Sequence, residues 1–190
     1  MKEKAQGPIH REIPPGDTIT RLVCHECNYI AYENPKVVVG TLPEHEGRIL
    51  LVRRAIQPRH GFWTLPAGFL ELNETTEEGA MRETYEEATA RVEIRDLLAI
   101  YNIKRISQVQ FFYRATLLGP DYAPGPESLE VGLFRWEEIP WQYLAFPTVE
   151  WVLKAWHENR DRDVLAPVGN PPGGDGTLAE FSRLYPTPPE

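Results

Sequence analysis

Between positions 74 and 87 the chain carries six acidic residues on a stretch with no proline. Three of them, Glu83, Glu86 and Glu87, lie three and four positions apart, so on an α-helix their carboxylates share one stripe. Two like charges at about 4 Å repel by about 4 kcal/mol at an effective dielectric of roughly 20. A sequence that gathers three of them needs a counter-charge, and a hard divalent cation is the obvious one. Mg²⁺ or Mn²⁺ takes carboxylate oxygens and keeps positions open for water and substrate phosphates. Glu78, Arg82 and Glu86 form an acid–base–acid ladder at i, i+4 spacing, which restrains Glu86. Ala80, Thr84 and Ala88 make a neighbouring stripe of small side chains suited to packing on a sheet. Spacing alone equally suits an ordinary solvated helix face, so the flanking sequence has to discriminate.

Gly68-x5-Glu74-x7-Arg82-Glu83-x2-Glu86-Glu87 is similar to the Nudix box, G-x5-E-x7-R-E-U-x-E-E-x-G-U with U apolar, and its six fixed positions through Glu87 agree. Thr84 and Ala90 are weak occupants of apolar positions, and Thr89 stands where the box has glycine. A β-branched residue at positive φ is strained by about 1 kcal/mol or more. The resemblance extends over roughly residues 21–145. Cys24-x-x-Cys27, Asn34-Pro35-Lys36, Trp63-Thr64-Leu65-Pro66-Ala67-Gly68, Pro124-Gly125-Pro126-Glu127-Ser128-Leu129-Glu130 and Leu144-Ala145-Phe146 look like the zinc-ribbon subgroup of that family. The subgroup includes bacterial enzymes and a related plant chloroplast FAD and ADP-ribose pyrophosphatase.

The resemblance implies an α/β/α sandwich around a mixed sheet, and about two or three Mg²⁺ or Mn²⁺ ions per active site. It also implies hydrolysis of the pyrophosphate of a nucleoside diphosphate derivative. FAD or ADP-ribose leads, releasing AMP with FMN or ribose 5-phosphate. NADH hydrolysis and a non-catalytic nucleotide-sensing module are the alternatives. Carried over, Glu83, Glu86 and Glu87 are metal ligands beside Gly68, Arg82 orients them, and Glu130 adds a ligand or a base. Glu86, Glu127 or Glu130 takes the proton of the attacking water. A homodimer is the family expectation.

Other residues carry weaker signals. Arg53, Arg54, Arg105 and Gln108 are candidates for phosphate or base contacts, although residues of these types more often lie on a solvated surface. Trp63, with Phe111, Phe112 and Tyr113, has the chemistry to stack a flavin or adenine, although aromatics on strands usually belong to cores. Cys24 and Cys27 are the only cysteines and form half of a zinc ribbon. Structural zinc takes four ligands, usually two such knuckles. The first ten residues hold no second Cys-x-x-Cys, so bound zinc is not expected. The minority alternative is a site completed by His10 or His25, or by a second subunit. His10, His25, His45, His60 and His157 show no ligand spacing.

Those side chains must be positioned by a 190-residue chain of formal charge −8, with 42% hydrophobic residues. That charge argues against a nucleic-acid partner. No apolar run approaches the roughly 20 residues that span a bilayer, so no membrane partner is expected. The polar, proline-broken N-terminus and the two cysteines point to a cytoplasmic location. Residues 1–35 read as an irregular leader, 36–160 as the catalytic domain, and 161–190, rich in proline and glycine, as a flexible or surface-draped tail. Hydrophobic runs predict a hairpin of 37–40 and 49–52 turning over 43–47, and strands at 62–65, 91–94, 97–101, 108–117 and 131–136. Helices are expected at about 75–88 and 147–158. In the second, Val149, Val152, Leu153 and Trp156 define one apolar face.

Overall fold

The computed structural model describes residues 7–162 and 166–178, and divides the chain into two compact units, Met1–Pro35 and Lys36–Glu190. The remaining parts of the leader and the tail, 1–6, 163–165 and 179–190, lie outside the described residues. The leader is not irregular. Strands β1 (His10–Glu12), β2 (Arg21–Val23) and β3 (Ile30–Ala31) form a small antiparallel sheet in the order β1-β2-β3. Strands of two or three residues are too short for hydrophobic alternation to reveal. Cys24 and Cys27 bracket the β2–β3 turn, which closes through Cys24 N donating to Tyr29 O and Asn28 N donating to Cys24 O, each 2.8 Å. Backbone N–H groups of Cys27 and Glu26 pull the Cys24 thiol below its ordinary range.

The larger unit runs in the order β4 (Lys36–His45), β5 (Arg48–Arg54), β6 (Trp63–Thr64), β7 (Ala67–Phe69), α1 (Thr76–Ala88), β8 (Val92–Ile103), β9 (Gln108–Leu117), β10 (Ser128–Phe134) and α2 (Pro147–Asn159). Its seven-stranded sheet has the path β10-β5-β4-β9-β8, with β6 on β5 and β7 on β4. Among these named strands β4 and β9 pair in parallel and the others antiparallel, so the sheet is mixed. Both faces are covered, which is why Ile49-Leu50-Leu51-Val52 is continuously apolar. Ile49 and Leu51 pack with Val149, Val152 and Leu153 of α2, while Leu50 and Val52 pack with Ala88 of α1. The result is the expected α/β/α layering.

Two local expectations fail for identifiable reasons. β4 continues through Pro43, and the turn is confined to Glu46 (φ 50°) and Gly47 (φ 74°). Thr41 N donates to Pro66 O, and Pro43, two residues on, faces the same side. There β4 meets β5 only from Glu44 onward, so the missing N–H breaks no rung. The two short strands expected at 91–94 and 97–101 are the single strand β8. Register shifts between Ile94 and Asp96 and between Leu97 and Ala99 break its alternation.

α1 opens with Thr75 as N-cap, whose hydroxyl accepts from Glu78 N while the Glu78 side chain accepts from Thr75 N, a capping box. It closes at Thr89, which adopts φ 48° despite its branched side chain. Thr89 N donates to Tyr85 O at 2.7 Å and its hydroxyl donates to Ala123 O at 3.2 Å, two bonds that offset the strain. Thr84 replaces an apolar residue without leaving a polar orphan. Its hydroxyl donates to Ala80 O at 2.7 Å and takes the Thr41 hydroxyl at 2.6 Å. Among the described residues no helix is long and apolar enough to cross a membrane.

Candidate active site

α1 lies against the sheet beside β7, and that packing brings its carboxylates to one wall of a cavity of about 900 Å³. Glu83 sits directly over Gly68. A Cβ added to Gly68 would stand 2.3 Å from the Glu83 carboxyl carbon, so only glycine admits this contact. Glu87 points inward along the next stripe and accepts from Ala67 N at 3.1 Å. Burial dominates its protonation and pushes its carboxyl up to about 8 against the opposing Ala67 hydrogen bond. Burial also raises Glu83, despite its bond to Arg82. Glu86, with a side chain 56% exposed, stands at the mouth.

Arg82 ties the group together. Its Nε and Nη2 donate to the two oxygens of Glu74 at 3.0 and 2.7 Å, Nη1 donates to Glu83 at 2.8 Å and Glu86 at 3.1 Å, and Nη2 also reaches Phe69 O at 3.0 Å. Glu74 additionally accepts from Glu71 N at 2.6 Å, and the Arg82 guanidinium holds its carboxyl down at about 2. Glu74 is therefore a fixed anion that aims Arg82, and Arg82 aims the two glutamates.

Further lining comes from loops. The β9–β10 connection docks on the end of α1, with Ala123 N donating to Ala88 O and Gly125 N to Glu87 O, each 2.9 Å. A Cβ on Gly125 would stand 1.7 Å from Glu86 O, so the approach again requires glycine. It carries Glu127 into the cavity lining. Arg54 lines the cavity too, with Nε donating to Pro58 O at 3.0 Å and its guanidinium 5.2 Å from the Phe146 ring centroid. Burial lowers its pKa, offset by Glu87 and Glu127.

Of the residues singled out from sequence, Gly68, Arg82, Glu83, Glu86, Glu87, Arg54, Arg105 and Gln108 line this one cavity. Two do not, contrary to expectation. Trp63 stands edge-on to Phe134, 4.9 Å between ring centroids, and packs with the α2-side core, because β6 turns it away from the cavity. Glu130 has a 58% exposed side chain 3.9 Å from Arg53, because the register shift between Ser128 and Glu130 turns it off the lining that Glu127 joins. Phe111 and Tyr113 belong to the α1-side core, whereas Phe112 does reach the cavity. Gln110, Ile103 and Leu178 line it without having been anticipated. Gln110 was findable, being two strand positions from Gln108 on the same face.

Five glutamates and three arginines line the cavity, so a pyrophosphate enters a site with excess negative charge unless cations accompany it. The donors nearest the mouth are carboxylate oxygens, the set that suits Mg²⁺ or Mn²⁺. Glu83 and Glu87 are protonated more readily than free glutamates because burial penalises their charged forms, so protons compete with cations there. As they stand, no three His, Cys, Asp or Glu side chains among the described residues are grouped tightly enough to hold a metal. Arg82 draws Glu83 and Glu86 to itself.

Residues 34–163 match the NUDIX domain family, and residues 6–33 match the zinc-ribbon Nudix N-terminal family. A crystal structure of a Nudix hydrolase from Nitrosomonas europaea superposes with a TM-score of 0.82 at 51% identity, covering 87% of this chain and 94% of that one. A MutT-like protein from Streptomyces ambofaciens is 35% identical over 102 residues, 54% of this chain and 64% of that protein. An ADP-ribose pyrophosphatase from Methanocaldococcus jannaschii is 29% identical over 116 residues, 59% of this chain and 69% of that protein. The chain thus spans about two thirds of the length of these curated relatives.

Proposed function

This chain belongs to the Nudix hydrolase family, and on that premise we propose that it is a divalent-metal-dependent pyrophosphatase acting on ADP-ribose or FAD. The observation that carries the reading is the single cavity in which Glu83, Glu86 and Glu87 face Arg54 and Glu127. Its volume, about 900 Å³, suits a dinucleotide-sized ligand. The likeness to an ADP-ribose pyrophosphatase supports that substrate over other diphosphates.

Glu83, Glu86 and Glu87 would hold Mg²⁺ or Mn²⁺ ions, which supply charge neutralisation at the diphosphate and acidify water. Arg82, clamped by Glu74, keeps Glu83 and Glu86 oriented. Arg54 and Arg105 pair with phosphate oxygens from the other side. Glu127 accepts the proton of the attacking water, a role it takes over from Glu130 because only Glu127 lines the cavity. Water adds to one phosphorus, the bridging oxygen leaves with the other phosphate, and ADP-ribose gives AMP and ribose 5-phosphate.

The test is a panel of ADP-ribose, FAD, NADH, diadenosine polyphosphates and nucleoside triphosphates, each with Mg²⁺ and Mn²⁺, with products identified by mass. AMP as a common product from ADP-ribose or FAD supports the reading. Preferential turnover of NADH would move the substrate, and tight binding with no turnover of any compound would replace the enzyme with a sensing module.

A further inference from the structure

The described part of the C-terminal segment, residues 166–178, is docked along β8, the edge strand of the sheet. Val168 bridges Ala99 in parallel, its N–H donating to Leu98 O at 3.0 Å and its carbonyl accepting from Ile100 N at 2.9 Å. Asn170 continues the pairing with its side chain, accepting from Asn102 N at 2.8 Å and donating to Asn102 O at 3.0 Å and Gly174 O at 2.9 Å. Covering an exposed sheet edge would account for this much. It does not account for the path of the chain beyond Gly174. At Gly176, buried and at φ 73°, the backbone presses on Ile103, where a Cβ would stand 2.9 Å from Ile103 Cδ1. Gly176 and Leu178 then enter the wall of the active-site cavity.

That end of the cavity differs in chemistry from the carboxylate end. Ile103, Phe112, Val149 and Leu178 supply apolar walls, and Gln108 and Gln110 supply carboxamides. Gln110 Nε2 donates to Gln108 Oε1 at 3.1 Å, and among the described residues Gln110 Oε1 is buried with no hydrogen-bond partner. A buried acceptor left open is costly, and a ligand donor removes that cost. Apolar walls with amides between them suit a flat nitrogen heterocycle carrying N–H groups, and Arg105, which lines the cavity two residues on from Ile103 and interacts with Asp175, supplies the positive charge that an adjoining phosphate would meet.

We propose that segment 166–178 is a specificity element of the active site, closing a compartment that seats the aromatic base of the nucleotide while the carboxylates face its diphosphate. Asn170 is the latch that positions it, Leu178 is the wall, and Gln110 accepts from the base. The proposal rests on the pyrophosphatase reading and deepens it.

Calorimetric binding of AMP and of ribose 5-phosphate to wild type, Asn170→Ala and Leu178→Asp tests it, alongside Mn²⁺ affinity and ADP-ribose kinetics. Loss of the leucine contact or of the latch weakens AMP binding about tenfold or more. Ribose 5-phosphate binding and Mn²⁺ affinity hold at wild-type values, and KM for ADP-ribose rises about tenfold with a much smaller change in kcat. Leu178→Met restores AMP binding. Unchanged AMP affinity in both variants overturns the proposal, as does equal weakening of both ligands, which marks a purely structural role. Wild-type protein that binds AMP but cleaves no diphosphate overturns the pyrophosphatase reading, and the AMP comparison still judges the compartment.

Discussion

The pH dependence of stability without metal isolates what the buried carboxylates cost this fold. Glu87 is 8% exposed, and desolvation carries its pKa from an ordinary 4.5 to about 8. A raised acid pKa means that between these values the folded protein binds more protons than the unfolded chain. Stability is therefore complete below the unfolded pKa and is lost as pH rises through the folded one. For a shift of this size the loss between about pH 5 and pH 8 is about 3–4 kcal/mol. Glu83, also raised, acts in the same direction. In Glu87→Gln the amide oxygen still accepts from Ala67 N, but the titration is gone. Urea denaturation in EDTA at several pH values should show wild type losing stability toward pH 8 more steeply than the variant, in which only Glu83 still contributes, whatever their offset at pH 5. Saturating Mg²⁺ should recover wild type at pH 8 far more than the variant, since binding to the folded state alone adds stability. Parallel pH profiles for the two proteins would mean that Glu87 is solvated and that burial does not set its protonation.

Gly68→Ala puts a methyl 2.3 Å from the Glu83 carboxyl, and manganese titration should show at least about tenfold weaker binding with the fold intact by circular dichroism. Gly125→Ala meets the rigid backbone carbonyl of Glu86, so thermal denaturation should register a loss of more than about 1 kcal/mol together with reduced turnover. Arg82→Lys cannot span Glu74, Glu83 and Glu86 at once, and kcat should fall by about a hundredfold or more in steady-state assays with secondary structure retained. Thr89→Gly removes left-handed strain of about 1 kcal/mol, and thermal denaturation should show a slightly raised melting temperature despite the lost bond to Ala123 O.

The carboxylate helix was legible because its information is local. Thr75 and Glu78 cap it, Glu83, Glu86 and Glu87 fall on stripes set by 3.6 residues per turn, and Gly68 and Arg82 keep fixed offsets from them. A mixed α/β sandwich was legible from strands placed before and after a central helix, and its α/β/α layering from the resemblance that the box carries. Roles that depend on which way a strand faces were less secure. Glu127 and Glu130 are equivalent as acids three apart, and only the register shift against β5 sends one to the cavity and leaves the other beside Arg53. Trp63 fails for a similar reason, since a two-residue strand has no periodicity to orient it.

By itself, the amino-acid order determined the helix, its acidic face and the family of folds able to carry it. These properties arise from backbone geometry and charge over short spans. The tertiary structure alone decided how far each carboxylate is desolvated, that Gly125 draws Glu127 opposite α1, and that residues 166–178 return to β8 and reach the cavity. Each of those depends on contacts between segments far apart in the chain, such as Asn170 with Asn102, whose energies exist only once the sheet has brought them together.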